Sequence, residues 1–111
     1  MRLEGKVTIV TGAANGVGEA IALRYGREGA KVVAADINTA DVEQTAAAIN
    51  AAGGEAIAIT VDVSQEESVE AMFAATMEKY GRVDVLVNNA GLISPMKHFL
   101  TVDKAWWDRI I

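Results

Sequence analysis

Three glycines in Thr11-Gly12-Ala13-Ala14-Asn15-Gly16-Val17-Gly18 stand between an apolar run, Val7-Thr8-Ile9-Val10, and an amphipathic stretch that begins at Val17. Strand, glycine turn and helix in that order build a cradle for phosphate. Glycine lets the backbone turn sharply and lets a pyrophosphate approach with no Cβ in the way. The unpaired N–H groups and the positive dipole end of the helix then face the anion. Asn15 sits where the loop exposes side chains to a ligand, and Gly16 and Val17 offer backbone N–H groups. Asp36 closes a second apolar run, Lys31-Val32-Val33-Ala34-Ala35, roughly twenty residues past the glycines, where an acid accepts hydrogen bonds from an adenosine ribose. Its two oxygens can take one hydroxyl each, and its charge opposes a 2′-phosphate. The expected ligand is a dinucleotide, NAD.

Such a cradle needs a frame, and the remaining residues supply one. Apolar runs alternate with segments of helical period, which argues for repeated βαβ units and a parallel sheet. Strands are expected at Val7 to Thr11, Lys31 to Asp36, Ala56 to Asp62 and Val83 to Asn88. Helices are expected at Val17 to Glu28, Ala40 to Ala52 and Gln65 to Tyr80, with a fourth starting near Val102 and cut off soon after its start. Gly29, Gly53-Gly54 and Gly81 lie just past the three complete helices, where left-handed caps belong. Ser64-Gln65-Glu66-Glu67 reads as a capping box, after which Val69, Met72, Phe73, Thr76, Met77 and Tyr80 follow a 3.6 period as core. The near-continuous apolar run Val83-Asp84-Val85-Leu86-Val87 implies burial on both faces. Right-handed crossovers give a Rossmann-type α/β sheet in the order 3-2-1-4, with helices on both faces. Its carboxyl ends gather Gly12, Asp36, Asp62 and Asn88 along one rim.

Thr-Gly-x-x-x-Gly-x-Gly at the amino end, Asp62-Val63 after the third strand and Asn88-Asn89-Ala90-Gly91 downstream closely resemble the short-chain dehydrogenase/reductase family. The resemblance spans essentially all 111 residues and is to the amino-terminal, NAD-binding half of such an enzyme. It implies that Asp62 meets the adenine amino group, with Val63 in backbone contact. It also implies that Asn88 helps hold the central strands together while Asn89, Ala90 and Gly91 line the site. NADP-preferring members often carry Arg or Lys at the position of Asn15 or just after the acid, where Ile37 stands here. In the family a tyrosine gives a proton to the substrate carbonyl, a lysine lowers that tyrosine's pKa, a serine orients the carbonyl and an asparagine supports a water link. Tyr25 is followed four residues on by Gly29 and Tyr80 by Asp84, so neither begins Tyr-x-x-x-Lys. Ser94 lies too close to Asn89 for the serine, and the asparagine would fall just after Ile111. No catalytic residue is assigned within the chain, which is expected to lack catalysis on its own. The parent enzyme would act on a small-molecule alcohol or carbonyl substrate and, like its family, assemble as a dimer or tetramer.

Composition narrows the remaining classes. At 111 residues and 51% apolar content, one domain with one core is expected, which the resemblance makes an incomplete NAD-binding domain over residues 1–111. A net charge of −5 with scattered Lys and Arg leaves no basic footprint for nucleic acid. No apolar run approaches the roughly 18 residues of a membrane span, and Met1-Arg2-Leu3-Glu4-Gly5-Lys6 has no signal-peptide core. With no cysteine, disulfides and thiolate metal sites are impossible, and a cytoplasmic setting is the default. The single histidine, His98, has no carboxylate cluster beside it, so no metal is expected. Trp106-Trp107 follow Thr101, a candidate N-cap, with one indole expected to pack on the sheet. A short nucleotide-binding or assembly module remains an alternative, as does another βαβ nucleotide fold such as a methyltransferase.

Overall fold

The computed structural model describes residues 3–89. Within them the chain alternates β1 (Val7–Thr11), α1 (Gly16–Arg27), β2 (Lys31–Asp36), α2 (Thr39–Ala51), β3 (Glu55–Thr60), α3 (Glu66–Tyr80) and β4 (Val85–Val87). The strands form one parallel sheet in the order β3-β2-β1-β4. Every residue of β1 is β-branched and buried, the composition that suits a strand covered on both faces. Alternate residues then divide the core. Ile9, Val33 and Ala35 pack with Val69, Met72 and Phe73 of α3 on one side. Val10, Val32 and Ala34 pack with Ala22 of α1 and with Val42, Ala46 and Ile49 of α2 on the other. The expected fold and strand order are therefore present, helices lying on both faces.

Several local expectations shift. α1 begins at Gly16, α2 at Thr39 and α3 at Glu66, each a residue from the expected start. β3 starts at Glu55, which pairs with Lys31, and ends at Thr60, because its neighbour β2 ends at the partner residue Asp36. Asp62 consequently lies in the loop beyond β3 rather than on it. The capping box at Ser64 does not form: Gln65 is the N-cap and makes no side-chain cap bond. Ser64 instead donates both its N–H and its hydroxyl to Asp62 Oδ1, at 3.0 and 2.6 Å, an Asx turn competing successfully with the cap. α2 carries the side-chain cap, with Asn38 Oδ1 accepting from the Asp41 amide at 3.1 Å. Gly29, Gly53 and Gly81 do adopt left-handed φ values past the helix ends, whereas Gly54 does not.

β4 departs most from expectation. It is three residues long, and all three are half-buried rather than enclosed, since β1 is its one strand partner among the described residues. Val83 remains fully buried. Asp84 leaves the ladder to clamp the first residue of β1, its N–H donating to the Val7 carbonyl and its Oδ2 accepting from the Val7 amide, both at 2.8 Å. Burial pushes the Asp84 carboxyl up, but hydrogen bonds from Arg82 and the Val7 amide, with the charges of Arg82 and Lys6, hold it below the usual carboxylate range. The fourth helix, Ser94, His98, Thr101 and Trp106-Trp107 lie outside the described residues.

Candidate functional site

At the carboxyl ends of the strands the loops enclose an open cleft of about 500 Å³, within the range of small-molecule sites. Gly12, Asn15, Gly16 and Val17 come from the β1–α1 loop and Asp36 and Ile37 from the end of β2. Val61, Asp62 and Val63 follow β3, and Asn89 follows β4. Four separate stretches of sequence thus meet in one place. Ala90 and Gly91 lie outside the described residues. Gly18 is buried and is not part of the wall.

The glycines divide their tasks. Gly16, at φ +60°, has nothing within 4 Å of the place its Cβ would occupy, so the space over it is open to a ligand. Gly18 is closed: a Cβ there would stand 2.0 Å from the Gly12 carbonyl oxygen and 2.7 Å from Asn89 Nδ2. Its missing side chain lets α1 press onto the loop. Gly12, at φ +67°, has the Asn89 backbone 3.0 Å from its would-be Cβ. The N-cap Asn15 makes no side-chain cap bond, so the amides of the first turn of α1 keep their donors for something else. Open space, uncapped donors and a positive dipole end together suit an anion.

Asp36 is fixed before any ligand arrives. Oδ2 accepts from the Ala14 amide at 3.0 Å and Oδ1 from the Asn38 amide at 2.9 Å. Each oxygen keeps one lone pair, so two further hydroxyl donors can be accommodated. Asp62 is similarly half-used. Oδ1 holds both Ser64 donors, Oδ2 has no partner among the described residues, and its own amide donates to Ser68 Oγ at 2.8 Å. The Ser64 hydroxyl and amide hold the Asp62 carboxyl below its ordinary value, against a smaller opposing effect of burial. Val61 and Val63 are buried, while Val17 and Ile37 are 67% and 65% exposed, so the cleft also offers apolar surface for a ring. None of the cleft-lining residues is Lys or Arg. Glycine cradle, uncapped helix and poised acid fit the pyrophosphate and ribose of a dinucleotide.

Asn88 stays out of the wall and accepts from the Thr11 hydroxyl at 3.2 Å, while that hydroxyl accepts from the Asn89 amide at 3.0 Å. Thr11 thereby ties the end of β1 to the residues after β4. Two contributors carry no motif. In the sequence Val61 reads as strand alone, and the one signal for Thr45 is a lone hydroxyl on the stripe Val42-Thr45-Ala46-Ile49. Thr45 is 1% exposed and donates to the Ala13 carbonyl at 2.9 Å.

The tyrosines take no part in the cleft. Tyr25 packs against the core shared by α1 and α2. Tyr80, at the end of α3, has Lys31 Nζ and Lys79 Nζ each 5.6 Å from its ring centroid. Burial, with Glu55 adding to it, pushes its hydroxyl up to about 12, away from proton donation near neutrality. Among the described residues no group of three or more metal-ligating side chains converges, and no helix is long and apolar enough to cross a membrane.

The sequence model of the short chain dehydrogenase family matches residues 6–111. A 3beta-hydroxysteroid dehydrogenase of Mediterraneibacter gnavus is 40% identical over 110 residues, covering 99% of this chain and 40% of that protein. A meso-2,3-butanediol dehydrogenase of Serratia marcescens is 48% identical over 92 residues, covering 83% of this chain and 36% of that protein. Among solved structures, a metagenomic short-chain oxidoreductase in complex with NADP aligns with a TM-score of 0.78 and 41% identity, over 82% of this chain and 41% of that one. The chain thus spans about two fifths of the length of these relatives.

Proposed function

The chain belongs to the short-chain dehydrogenase family, and on that premise we propose that it forms the NAD-binding portion of an oxidoreductase that moves hydride between an alcohol and a ketone. The observation that carries the reading is one cleft holding both the uncapped first turn of α1 and the fixed carboxylate of Asp36. NAD, when bound, supplies the nicotinamide that accepts or returns the hydride. The residues of this chain bind and orient. Gly16 leaves room for the pyrophosphate, and the amides of Gly16 and Val17 donate to it. Asp36 accepts the adenosine ribose hydroxyls on its two remaining lone pairs. Asp62 offers Oδ2 to the adenine amino group, Val63 adds backbone contact, and Asn89 closes the far side. Ala90 and Gly91 belong to the same proposal by their place in the motif. The proton donor and the groups that orient substrate are contributed by residues other than those of this cleft.

The metagenomic relative that binds NADP favours a second reading, in which this cleft takes NADP. Asp36 supports NAD instead. A unit negative charge brought to about 4 Å of a carboxylate is opposed by roughly 4 kcal/mol at an effective dielectric near 20, and by less where solvent screens it. No cation at Asn15 or Ile37 offsets that repulsion. Calorimetric titration of the intact protein with NAD and NADP is the test. NAD is expected to bind more tightly, and Asp36→Ala to weaken NAD and narrow the gap. Equal or tighter NADP binding by the unaltered protein refutes the assignment.

A further inference from the structure

The loop that carries the anion-binding turn is held between two left-handed glycines, Gly12 at φ +67° and Gly16 at φ +60°. Glycine has more conformations to lose than any other residue, so a loop hinged on two of them needs outside ties to hold one shape. The ties are on a single peptide unit. The Ala13 carbonyl accepts from the Thr45 hydroxyl at 2.9 Å, and the Ala14 amide donates to Asp36 Oδ2 at 3.0 Å. These two groups belong to one planar trans peptide and point in opposite directions. One side is therefore held from α2 and the other from the end of β2. A third bond, from the Ala13 amide to the Ala35 carbonyl at 3.1 Å, fixes the preceding plane.

Thr45 has a local alternative. A threonine inside a helix ordinarily returns its hydroxyl to the carbonyl four residues back, and here that oxygen, on Asp41, is 3.3 Å away. The Ala13 carbonyl, far off in sequence, is the nearer acceptor. We propose that Thr45, outside the cleft wall, is a positioning residue for pyrophosphate recognition. Together with Asp36 it locks the Ala13–Ala14 peptide and so keeps the following amides of Asn15, Gly16 and Val17 in their binding arrangement. The inference rests on the dinucleotide reading above. It gives Asp36 a second task besides meeting the ribose, and it separates the two. Loss of Thr45 disturbs the loop without changing the charge that discriminates NAD from NADP.

The test compares Thr45→Val, isosteric but without a hydroxyl, with Thr45→Ser, which keeps it, in the intact protein. Binding of ADP-ribose, which carries the pyrophosphate, is set against binding of adenosine, which does not. Thr45→Val is expected to weaken ADP-ribose roughly three- to tenfold, the factor one net hydrogen bond represents. Adenosine affinity and the NAD-to-NADP preference are expected to stay unchanged, and Thr45→Ser to restore ADP-ribose binding. Hydrogen exchange at the Ala14 amide should quicken in Thr45→Val and not in Thr45→Ser. If Thr45→Val does not fold, Thr45→Ala carries the same expectations. Unchanged ADP-ribose binding, equal weakening of both ligands, or failure of Thr45→Ser to restore binding overturns the positioning role. An unaltered protein that binds no ADP-ribose overturns the dinucleotide reading as well, a result separate from the others.

Discussion

Gly18→Ala adds one methyl group where the structure has no room for it. The new Cβ would lie 2.0 Å from the Gly12 carbonyl oxygen, 2.7 Å from the Gly12 carbonyl carbon and 2.7 Å from Asn89 Nδ2, whereas ordinary contact begins near 3.4 Å. The Asn89 amide can swing aside, but the Gly12 carbonyl is backbone. Either α1 or the loop must therefore retreat by at least 1 Å, the difference between 2.0 Å and the shortest tolerable 3.0 Å. Overpacking of this kind costs roughly 1–3 kcal/mol, and each kcal/mol lowers the melting temperature by about 2–4 °C in a fold of 150–250 residues. The same retreat displaces the first turn of α1, and a shift near 1 Å in a positioning element is enough to cost about 100-fold in function. Gly16→Ala is the control for the packing cost, read by melting alone, since its methyl would enter the space proposed for the pyrophosphate. Nothing in the protein lies within 4 Å of that Cβ, so its stability penalty is the left-handed φ alone, roughly 1–2 kcal/mol. Thermal melting and calorimetric NAD titration of the intact protein measure both quantities. A Gly18→Ala protein that melts and binds NAD like the unaltered one refutes the packing argument.

Two further outcomes follow from the geometry. Asp84, with its carboxyl held low in the folded protein, contributes stability that is fully present above the unfolded value near 3.8 and is lost as pH falls through the lower folded value. Arg82→Ala removes the hydrogen bonds at 3.1 and 2.6 Å that oppose burial, so the acid-unfolding midpoint should move to higher pH, each lost pKa unit being worth about 1.4 kcal/mol; an unmoved midpoint in an acid titration followed by circular dichroism contradicts this. The 111-residue chain alone should give no turnover in a spectrophotometric NADH assay over alcohols and ketones, since Tyr25 and Tyr80 lie away from the cleft and a positioned acid or base is worth about 10²- to 10⁴-fold; turnover traceable to this chain contradicts it.

The alternation of β-branched runs with helical-period segments was sufficient for the sheet and its order, because strand burial and right-handed crossover are properties of local pattern and chirality. The motif residues Gly12, Asn15, Gly16, Val17, Asp36, Ile37, Asp62, Val63 and Asn89 were likewise legible, and the strands' common direction delivers them to one cleft. What the sequence could not decide was which polar group satisfies which. Ser64 has the right spacing for a helix cap, yet it turns to Asp62, a choice between two nearby partners that the one-dimensional pattern leaves equal. Gly16 and Gly18 are the same residue two positions apart, yet one faces open space and the other a carbonyl 2.0 Å from its absent Cβ. The Ala13–Ala14 peptide is gripped by Asp36 and Thr45, which meet only when β2 and α2 fold back over the loop. Periodicity records which faces are buried, a property of each segment by itself. Hydrogen-bond partnership and steric closeness belong to pairs of segments, and only the tertiary structure brings those pairs together.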